Sequence, residues 1–364
     1  MTGKGRDSRQ PIRSDQDAFP PSQLLRRNIE RIRGEHILVA GVPPDESVAS
    51  MFGSRRGTLL TFDYGAYLLF QRVFSSGEHR LRAQFSATYD SPDAPHDVAV
   101  VYLQKGSEFN HLVLSIVGHA VGPGMPVFLV GENKAGIRSN AAALKEHVGP
   151  IAFSDAARHC VLYEANATED RPAVDLSTWE QRFSVQAGAR TLSIVSLPGV
   201  FSHGRLDEGT AFLLCHLPDD LQGEVLDFGC GTGVIGAAIK AMNPECEITL
   251  VDSNALALES TARTLAANGL SAKSVRPSDV FTSVDGRFDL IVSNPPFHQG
   301  VAINYDVVSS FLSACERHLD LGGRLVIVSN KFLPYEGLMA KSLDTVAVVA
   351  QDQKYKVLSG RKRS

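Results

Sequence analysis

The chain has 364 residues, enough for two domains of ordinary size, and its 43% hydrophobic and 21% charged residues exclude a disordered protein. It has no run near the ~18 apolar residues of a membrane span, no secretory signal, and five dispersed cysteines that form no disulfide or zinc pattern. The net charge of −4 excludes RNA binding by bulk attraction, so RNA contact requires local patches. We expect a cytoplasmic protein without a metal.

The first part of the chain predicts one α/β domain. A polar tail occupies residues 1–20, and a basic helix is predicted over 24–33. Apolar runs that are typical of buried strands then alternate with helical patterns. The predicted strands are 37–41, 97–102, 126–133 and 158–163, with a helix over 111–117.

The second part repeats this order of elements. Its predicted strands are 225–229, 288–292, 324–330 and 355–358, with a helix over 306–319. The offset between matched elements is nearly constant, as between Ile37 and Val225, which favours duplication of one domain. The alternative is that any two α/β domains alternate strands and helices in this way.

The two copies differ where the second carries its motifs. The first has Gly41-Val42-Pro43-Pro44 in place of a glycine-rich loop, and Tyr102-Leu103-Gln104-Lys105 in place of Asn294-Pro295-Pro296-Phe297. We therefore expect a degenerate recognition and support domain over 21–165, a linker over 166–185 and a catalytic domain over 186–364.

The catalytic half predicts a doubly wound, mostly parallel sheet. A hairpin over 183–195 and a helix over 210–217 lead into it, and this helix is expected to pack near the cofactor pocket. The last two strands, 345–350 and 354–358, are joined too closely for a helical crossover and predict an antiparallel hairpin at the sheet edge. This arrangement resembles the class I methyltransferase (Rossmann-like) fold.

The glycine-rich turn predicts a cofactor site. Gly229, Gly231 and Gly233 leave backbone amides uncovered at a helix N-terminus, where S-adenosylmethionine can lie. Acidic residues end three strands of the same sheet, an edge where ligands collect. We expect Asp227 beside the loop, Asp252 on the ribose hydroxyls and Asp279 on the adenine amine. Gly231-x-Gly233-x-x-Gly236 also fits a dinucleotide site, so a NAD-dependent oxidoreductase stays open.

The Asn294-Pro295-Pro296-Phe297 segment predicts methyl transfer to a planar nitrogen. An exocyclic amine on a base is a poor nucleophile, because its lone pair is delocalised into the ring. The Asn294 oxygen and the Pro295 carbonyl can accept its two N–H bonds and aim the lone pair at the sulfonium methyl. Phe297 can stack on the base, and Asn294 also borders the cofactor. The plainer alternative is a Pro-Pro loop carrying a core phenylalanine.

Other candidates for substrate contact are weaker. Pro296 and His298 follow Asn294 and are placed at the substrate pocket, although a histidine in a loop often makes only local hydrogen bonds. Lys134 and Arg138 lie in the loop after a strand of the first copy, where they face either RNA or solvent.

Four segments of the chain resemble the ribosomal RNA small subunit methyltransferase C family. They are Gly131-Glu132-Asn133-Lys134-Ala135-Gly136-Ile137-Arg138-Ser139, Leu197-Pro198-Gly199-Val200-Phe201-Ser202, Asn294-Pro295-Pro296-Phe297-His298 and Phe332-Leu333-Pro334-Tyr335. The resemblance implies two methyltransferase-like domains, the first without cofactor. It also implies S-adenosylmethionine-dependent methylation of a guanine N2 in 16S rRNA on the assembled small ribosomal subunit, with the base extruded into the pocket, and we expect a monomer.

Competing interpretations stay open at this point. A sister family that shares Asn-Pro-Pro-Phe-His methylates a guanine of large-subunit 23S rRNA, and related enzymes methylate a protein glutamine. Two other classes are the NAD-dependent oxidoreductase and a non-catalytic ribosome-assembly factor. The first of these is distinguished by which ligand raises the melting temperature. The intact Asp252, Asp279 and Asn294 argue against the second.

Overall fold

A computed structural model describes residues 19–75, 79–89, 94–218, 221–295 and 305–362, with the side chains of 305–310 left out. Within these residues the chain forms two seven-stranded sheets and one two-stranded hairpin. The predicted pair of α/β sheets is confirmed, as is the antiparallel hairpin at the edge of the second sheet, and the first sheet ends in a hairpin of the same kind. Among the described helices, none is both long and apolar enough to cross a membrane.

The first sheet has the strand order β3-β2-β1-β4-β5-β7-β6. Its strands are β1 His36–Ala40, β2 Arg56–Thr61, β3 Leu81–Phe85, β4 Val98–Tyr102, β5 Pro126–Glu132, β6 Ile151–Ala157 and β7 Cys160–Asn166. The helices are α1 Pro20–Arg27, α2 Ser47–Phe52, α3 Tyr64–Ser75, α4 Ser107–Ala120 and α5 Ala141–His147. The central strands β1 and β4 are almost wholly buried and apolar, as parallel strands covered on both faces must be.

The second sheet repeats this order strand for strand, as β12-β11-β10-β13-β14-β16-β15. The strands are β10 Glu224–Phe228, β11 Glu247–Asp252, β12 Ser274–Pro277, β13 Phe288–Ser293, β14 Leu319–Asn330, β15 Asp344–Gln351 and β16 Tyr355–Arg361. The helices are α6 Glu208–Leu214, α7 Val234–Met242, α8 Ala255–Ala267, α9 Tyr305–His318 and α10 Tyr335–Met339. The predicted hairpin before this sheet is also present, as β8 Gln181–Ala187 and β9 Arg190–Ser196.

The chain divides into two compact units. The first unit comprises residues 1–60, 68–84 and 91–172, and the second comprises 61–67, 85–90 and 173–364. Two short segments that precede the second sheet by more than a hundred residues in sequence therefore belong to the second unit.

Several predicted element boundaries are wrong, including those of the helices predicted over 111–117 and 210–217, which span Ser107–Ala120 and Glu208–Leu214. The basic helix is α1, which begins at a Pro-Pro pair and ends at Arg27, because Asn28 caps it. The last strand of the first sheet begins at Cys160, since Arg158 and His159 have positive φ and form the preceding turn. Strand β14 begins at Leu319 rather than at 324, so it includes Gly322 and Gly323.

Candidate active site

Three strand ends of the second sheet meet in register. In the central strand β10, Asp227 lies opposite Leu250 of β11 on one side and Val292 of β13 on the other. The Ser293 hydroxyl donates to the carbonyl oxygen of Phe228 at 2.7 Å, which ties the ends of β10 and β13 together. Because these strands are parallel, the residues that follow them emerge at one edge of the sheet.

The glycine loop after β10 is open on one side. Gly229, Gly231 and Gly233 have φ of 70°, 56° and 73°, the left-handed region that favours glycine. A Cβ built at Gly229 or Gly231 would meet no described heavy atom within 4 Å, whereas one at Gly233 would lie 2.9 Å from Thr261 Cγ2. The first two glycines therefore border free space, and the third allows close packing of α8.

Asp252 organises this loop from the end of β11. Its Oδ2 accepts the N–H of Gly231 at 2.9 Å, and its Oδ1 accepts the N–H of Asn254 at 2.8 Å. Burial raises the pKa of the Asp252 carboxyl, although these backbone N–H groups work in the opposite direction. The backbone N–H of Ser253 also contacts this carboxylate, which still leaves acceptor capacity for a ligand hydroxyl.

Asp227 lies fully buried behind the loop. Its Oδ2 accepts the N–H of Gly236 at 2.8 Å, while its Oδ1 has no hydrogen-bond partner within the described part of the chain. Burial, with a smaller contribution from the charge of Asp252, raises the pKa of Asp227 to about 7. Such an unsatisfied buried oxygen is costly unless a ligand or a water meets it.

Asn294 follows β13 and is held by α6. Its Nδ2 donates to Thr210 Oγ1 at 2.8 Å and to Asp207 Oδ2 at 3.1 Å. Asp207 also caps α6 by accepting the N–H of Thr210 at 2.9 Å. Neither Asp207 nor Thr210 had a role predicted from the sequence. An Asp ahead of an apolar run is a helix-start signal, but it does not reveal that the same side chain also bonds to Asn294.

Asp279 lies exposed beyond β12, beside residues 61–67 of the same unit. A Cβ built at Gly65 would lie 3.2 Å from Asp279 Oδ2. This segment is held by two backbone bonds, from Tyr64 N to Ser253 O and from Ala255 N to Phe62 O. Burial raises the pKa of Asp63, and the charge of Asp279 adds to the shift. This segment carries no motif, and nothing in the sequence indicated that it lies near Asp279.

The other predicted residues fall in three places. Pro295 is buried directly after Asn294. Pro296, Phe297 and His298 lie outside the described residues. Lys134 and Arg138 belong to the first unit, where Lys134 pairs with Glu132 at 2.9 Å and Arg138 donates to the Asn133 side chain at 3.1 Å.

Comparison with known proteins covers both units. The Methyltransferase small domain N-terminal model matches residues 22–183, and the Methyltransferase small domain model matches residues 191–359. The Shewanella loihica protein named ribosomal RNA small subunit methyltransferase C is 39% identical to this chain, over 94% of this chain and 98% of that protein. The Ectopseudomonas mendocina protein of the same name is 37% identical, over 94% of this chain and 99% of that protein.

One solved structure is similar over the whole fold. The T. thermophilus 16S rRNA N2 G1207 methyltransferase, in complex with AdoMet and guanosine, superimposes with a TM-score of 0.83 and 27% identity, covering 95% of this chain and 92% of that chain. The tandem methyltransferase fold expected from the sequence is therefore confirmed.

Proposed function

The chain belongs to the ribosomal RNA small subunit methyltransferase C family, and on that premise we propose that it methylates the N2 amine of a guanine in 16S rRNA. The observation that carries the proposal is the meeting, at adjacent strand ends, of an open glycine loop and an oriented amide at Asn294. The first supplies a place for the methyl donor, and the second supplies an acceptor for the target amine.

The residues around the glycine loop fit S-adenosylmethionine, the cofactor of this enzyme, which supplies the methyl group when bound. The open face of Gly229 and Gly231 leaves room for a ligand, and the unsatisfied Oδ1 of Asp227 matches a cationic or N–H donor group. Asp252 would hold the ribose hydroxyls with its remaining lone pairs. Asp279 would hold the adenine amine.

Asn294 and Pro295 would prepare the target nitrogen. The Asn294 Oδ1 and the Pro295 carbonyl would accept the two N–H bonds of the guanine N2 amine, which favours a more tetrahedral nitrogen with a directed lone pair. No strong base is required, because the amine becomes acidic only as it gains the methyl. We place Phe297 on the base as a stacking ring, with Pro296 and His298 beside it.

Recognition of the RNA would use further residues. Lys134 and Arg138 of the first unit offer cationic groups for phosphates. In the second unit Phe201 and Phe332 are 68% and 71% exposed, which is unusual for phenylalanine and suits stacking on unpaired bases. We propose residues 21–165 for recognition and support, a linker at 166–185, and residues 186–364 for catalysis. A monomer, a cytoplasmic location and the absence of a metal remain predictions.

Methyl transfer from labelled S-adenosylmethionine to unmodified small subunits, large subunits and free 16S rRNA tests the proposal. N2-methylguanosine from small subunits alone is the expected product, identified by mass spectrometry of the digested RNA. Label in large subunits would instead favour the sister activity. Binding of the cofactor without label in any RNA would favour a protein substrate or a non-catalytic assembly factor, and a melting shift with NAD alone would favour the oxidoreductase.

A further inference from the structure

We propose that Asp207 and Thr210 are positioning residues that lock the Asn294 amide with its oxygen toward the target amine. The inference rests on the proposed function, since it concerns how the same site selects a nitrogen nucleophile. The hydrogen bonds that join Asp207, Thr210 and Asn294 involve no residue after Pro295.

The hydrogen bonds leave only one orientation for this amide. A primary amide has two N–H bonds, and Nδ2 of Asn294 uses them on Thr210 Oγ1 at 2.8 Å and Asp207 Oδ2 at 3.1 Å. An ionised carboxylate only accepts hydrogen bonds, so it cannot pair with the amide oxygen. A flipped amide would place two oxygens with lone pairs against each other. Oδ1 is therefore the atom left for a ligand.

Asp207 and Thr210 are themselves fixed in position, and together with their bonds to Asn294 they are called the lock. Thr210 is 5% exposed, and its hydroxyl can donate toward Asp207 Oδ2 at 3.4 Å while accepting from Asn294. Asp207 accepts the N–H of Thr210 at 2.9 Å as the N-cap of α6. Because the cap and the lock share one carboxylate oxygen, the helix start fixes the position of the acceptor.

The orientation has a consequence for specificity. An oxygen facing the pocket attracts an N–H donor, such as the exocyclic amine of a base, and repels a carbonyl oxygen. If the amide could turn, its NH₂ group would face the target amine and the two donors would oppose each other. Asp207 and Thr210 would thus set the polarity of the site, while Asn294 itself touches the substrate.

The test compares Thr210→Val, which keeps the shape but removes the acceptor, with Thr210→Ser, which restores it. Thr249→Val, at a buried threonine of β11, is the matched control. For Thr210→Val we expect kcat on small subunits to fall at least tenfold, while KM and the Kd for S-adenosylhomocysteine change less than threefold. Thr210→Ser is expected to recover most of kcat, and Thr249→Val to keep it.

A readout independent of turnover is the side-chain ¹⁵N–H₂ signal of Asn294, assigned with Asn294→Ala. In the wild-type protein both protons should exchange slowly with solvent, and Thr210→Val should speed their exchange at least tenfold. If Thr210→Val melts below Thr249→Val, Asp207→Ala replaces it, with Asp207→Asn as the control that keeps a cap and an acceptor oxygen.

Unchanged kcat together with unchanged amide exchange in the Thr210→Val protein would overturn the lock. A wild-type enzyme that methylates no RNA would instead overturn the proposed function, and the amide signals would still decide the orientation of Asn294.

Discussion

The two sheets share one topology, but within the described residues the central strand end of the second sheet is open, whereas that of the first is filled. In the first unit Gln104 fills this space, donating from Nε2 to the carbonyl oxygens of Tyr102 at 2.7 Å and Gly41 at 2.9 Å. A Cβ at Gly41 would collide with that amide, whereas one at Gly229, the matching glycine, would meet no described atom within 4 Å. One side chain thus decides whether the same backbone turn is filled or open.

The central strands differ in a second way. Val39 of β1 and Asp227 of β10 occupy matching places, each between two parallel neighbours and each fully buried. Valine there only stabilises the core, while a buried carboxylate without a partner costs stability. The same topology is therefore possible with or without such a group, and we expect activity to depend on a few strand-end side chains of the second sheet.

The largest expected effect is at Asn294. Asn294→Ala removes the amine acceptor, and we expect kcat for small subunits to fall at least a thousandfold while the Kd for S-adenosylmethionine changes only a few-fold. The matched change in the first unit, Gln104→Ala, should leave kcat unaltered and lower the melting temperature, because two buried carbonyls lose their donor. Equal losses of cofactor binding and turnover in Asn294→Ala would contradict the role given to this residue.

The second-largest effect is expected for a substitution in the glycine loop. Gly231→Ala puts a methyl group into the space proposed for the cofactor, and we expect its Kd, measured by calorimetry, to rise at least tenfold. Gly269→Ala is the control, because Gly269 has a similar φ of 62° and equally open surroundings but lies after α8. Both changes should cost ~1–2 kcal/mol of backbone strain. Equal cofactor affinities in the two variants would show that Gly231 does not border the ligand.

The buried carboxylate predicts a pH dependence. The folded pKa of Asp227, about 7, lies above the ordinary value of 3.8, so the wild type loses stability as pH rises through this window. Asp227→Asn should therefore unfold at higher denaturant concentration than wild type at pH 8, with no such gain at pH 4. The stability difference should grow by up to ~1.4 kcal/mol per pH unit between these values. A pH-independent difference would contradict a buried, titrating Asp227, as would a less stable variant at pH 8. Val39, at the matching place of the first sheet, cannot titrate, so we expect no such contribution from that position.

The smallest effects distinguish the proposed RNA contacts of the two units. Phe332→Ala should raise KM for small subunits about fivefold at every salt concentration, through lost stacking worth ~1 kcal/mol. Lys134→Ala should raise KM less, since Lys134 already pairs with Glu132, and should lower the salt slope of binding by about one. A change of the salt slope for Phe332→Ala, with no change for Lys134→Ala, would contradict the roles proposed for these two residues.

Local pattern was enough to predict much of the second sheet. Buried strands that end in acidic residues and run into glycine turns have few alternatives, so the central strand was predicted over 225–229, within one residue of the observed β10, Glu224–Phe228. The wrong boundaries arose where one residue overrides propensity, as at Asn28 and His159.

The contacts between distant segments were not predictable in this way. Asn294 lies 84 residues from Thr210 in sequence, and their hydrogen bond depends on how α6 packs. The grouping of residues 61–67 with the second unit was also missed, because the repeat assigned that segment to the first domain.

The position of the transferred methyl group on the RNA tests whether this chain methylates a guanine N2 of 16S rRNA. Small subunits lacking this modification would be incubated with the enzyme and labelled S-adenosylmethionine, and the 16S rRNA cut into defined fragments before mass spectrometry. We predict one N2-methylguanosine per subunit, in the fragment with the nucleotide that corresponds to G1207, the target in the T. thermophilus relative's name. Label spread over several fragments, or a methyl group on any other atom, would contradict the account.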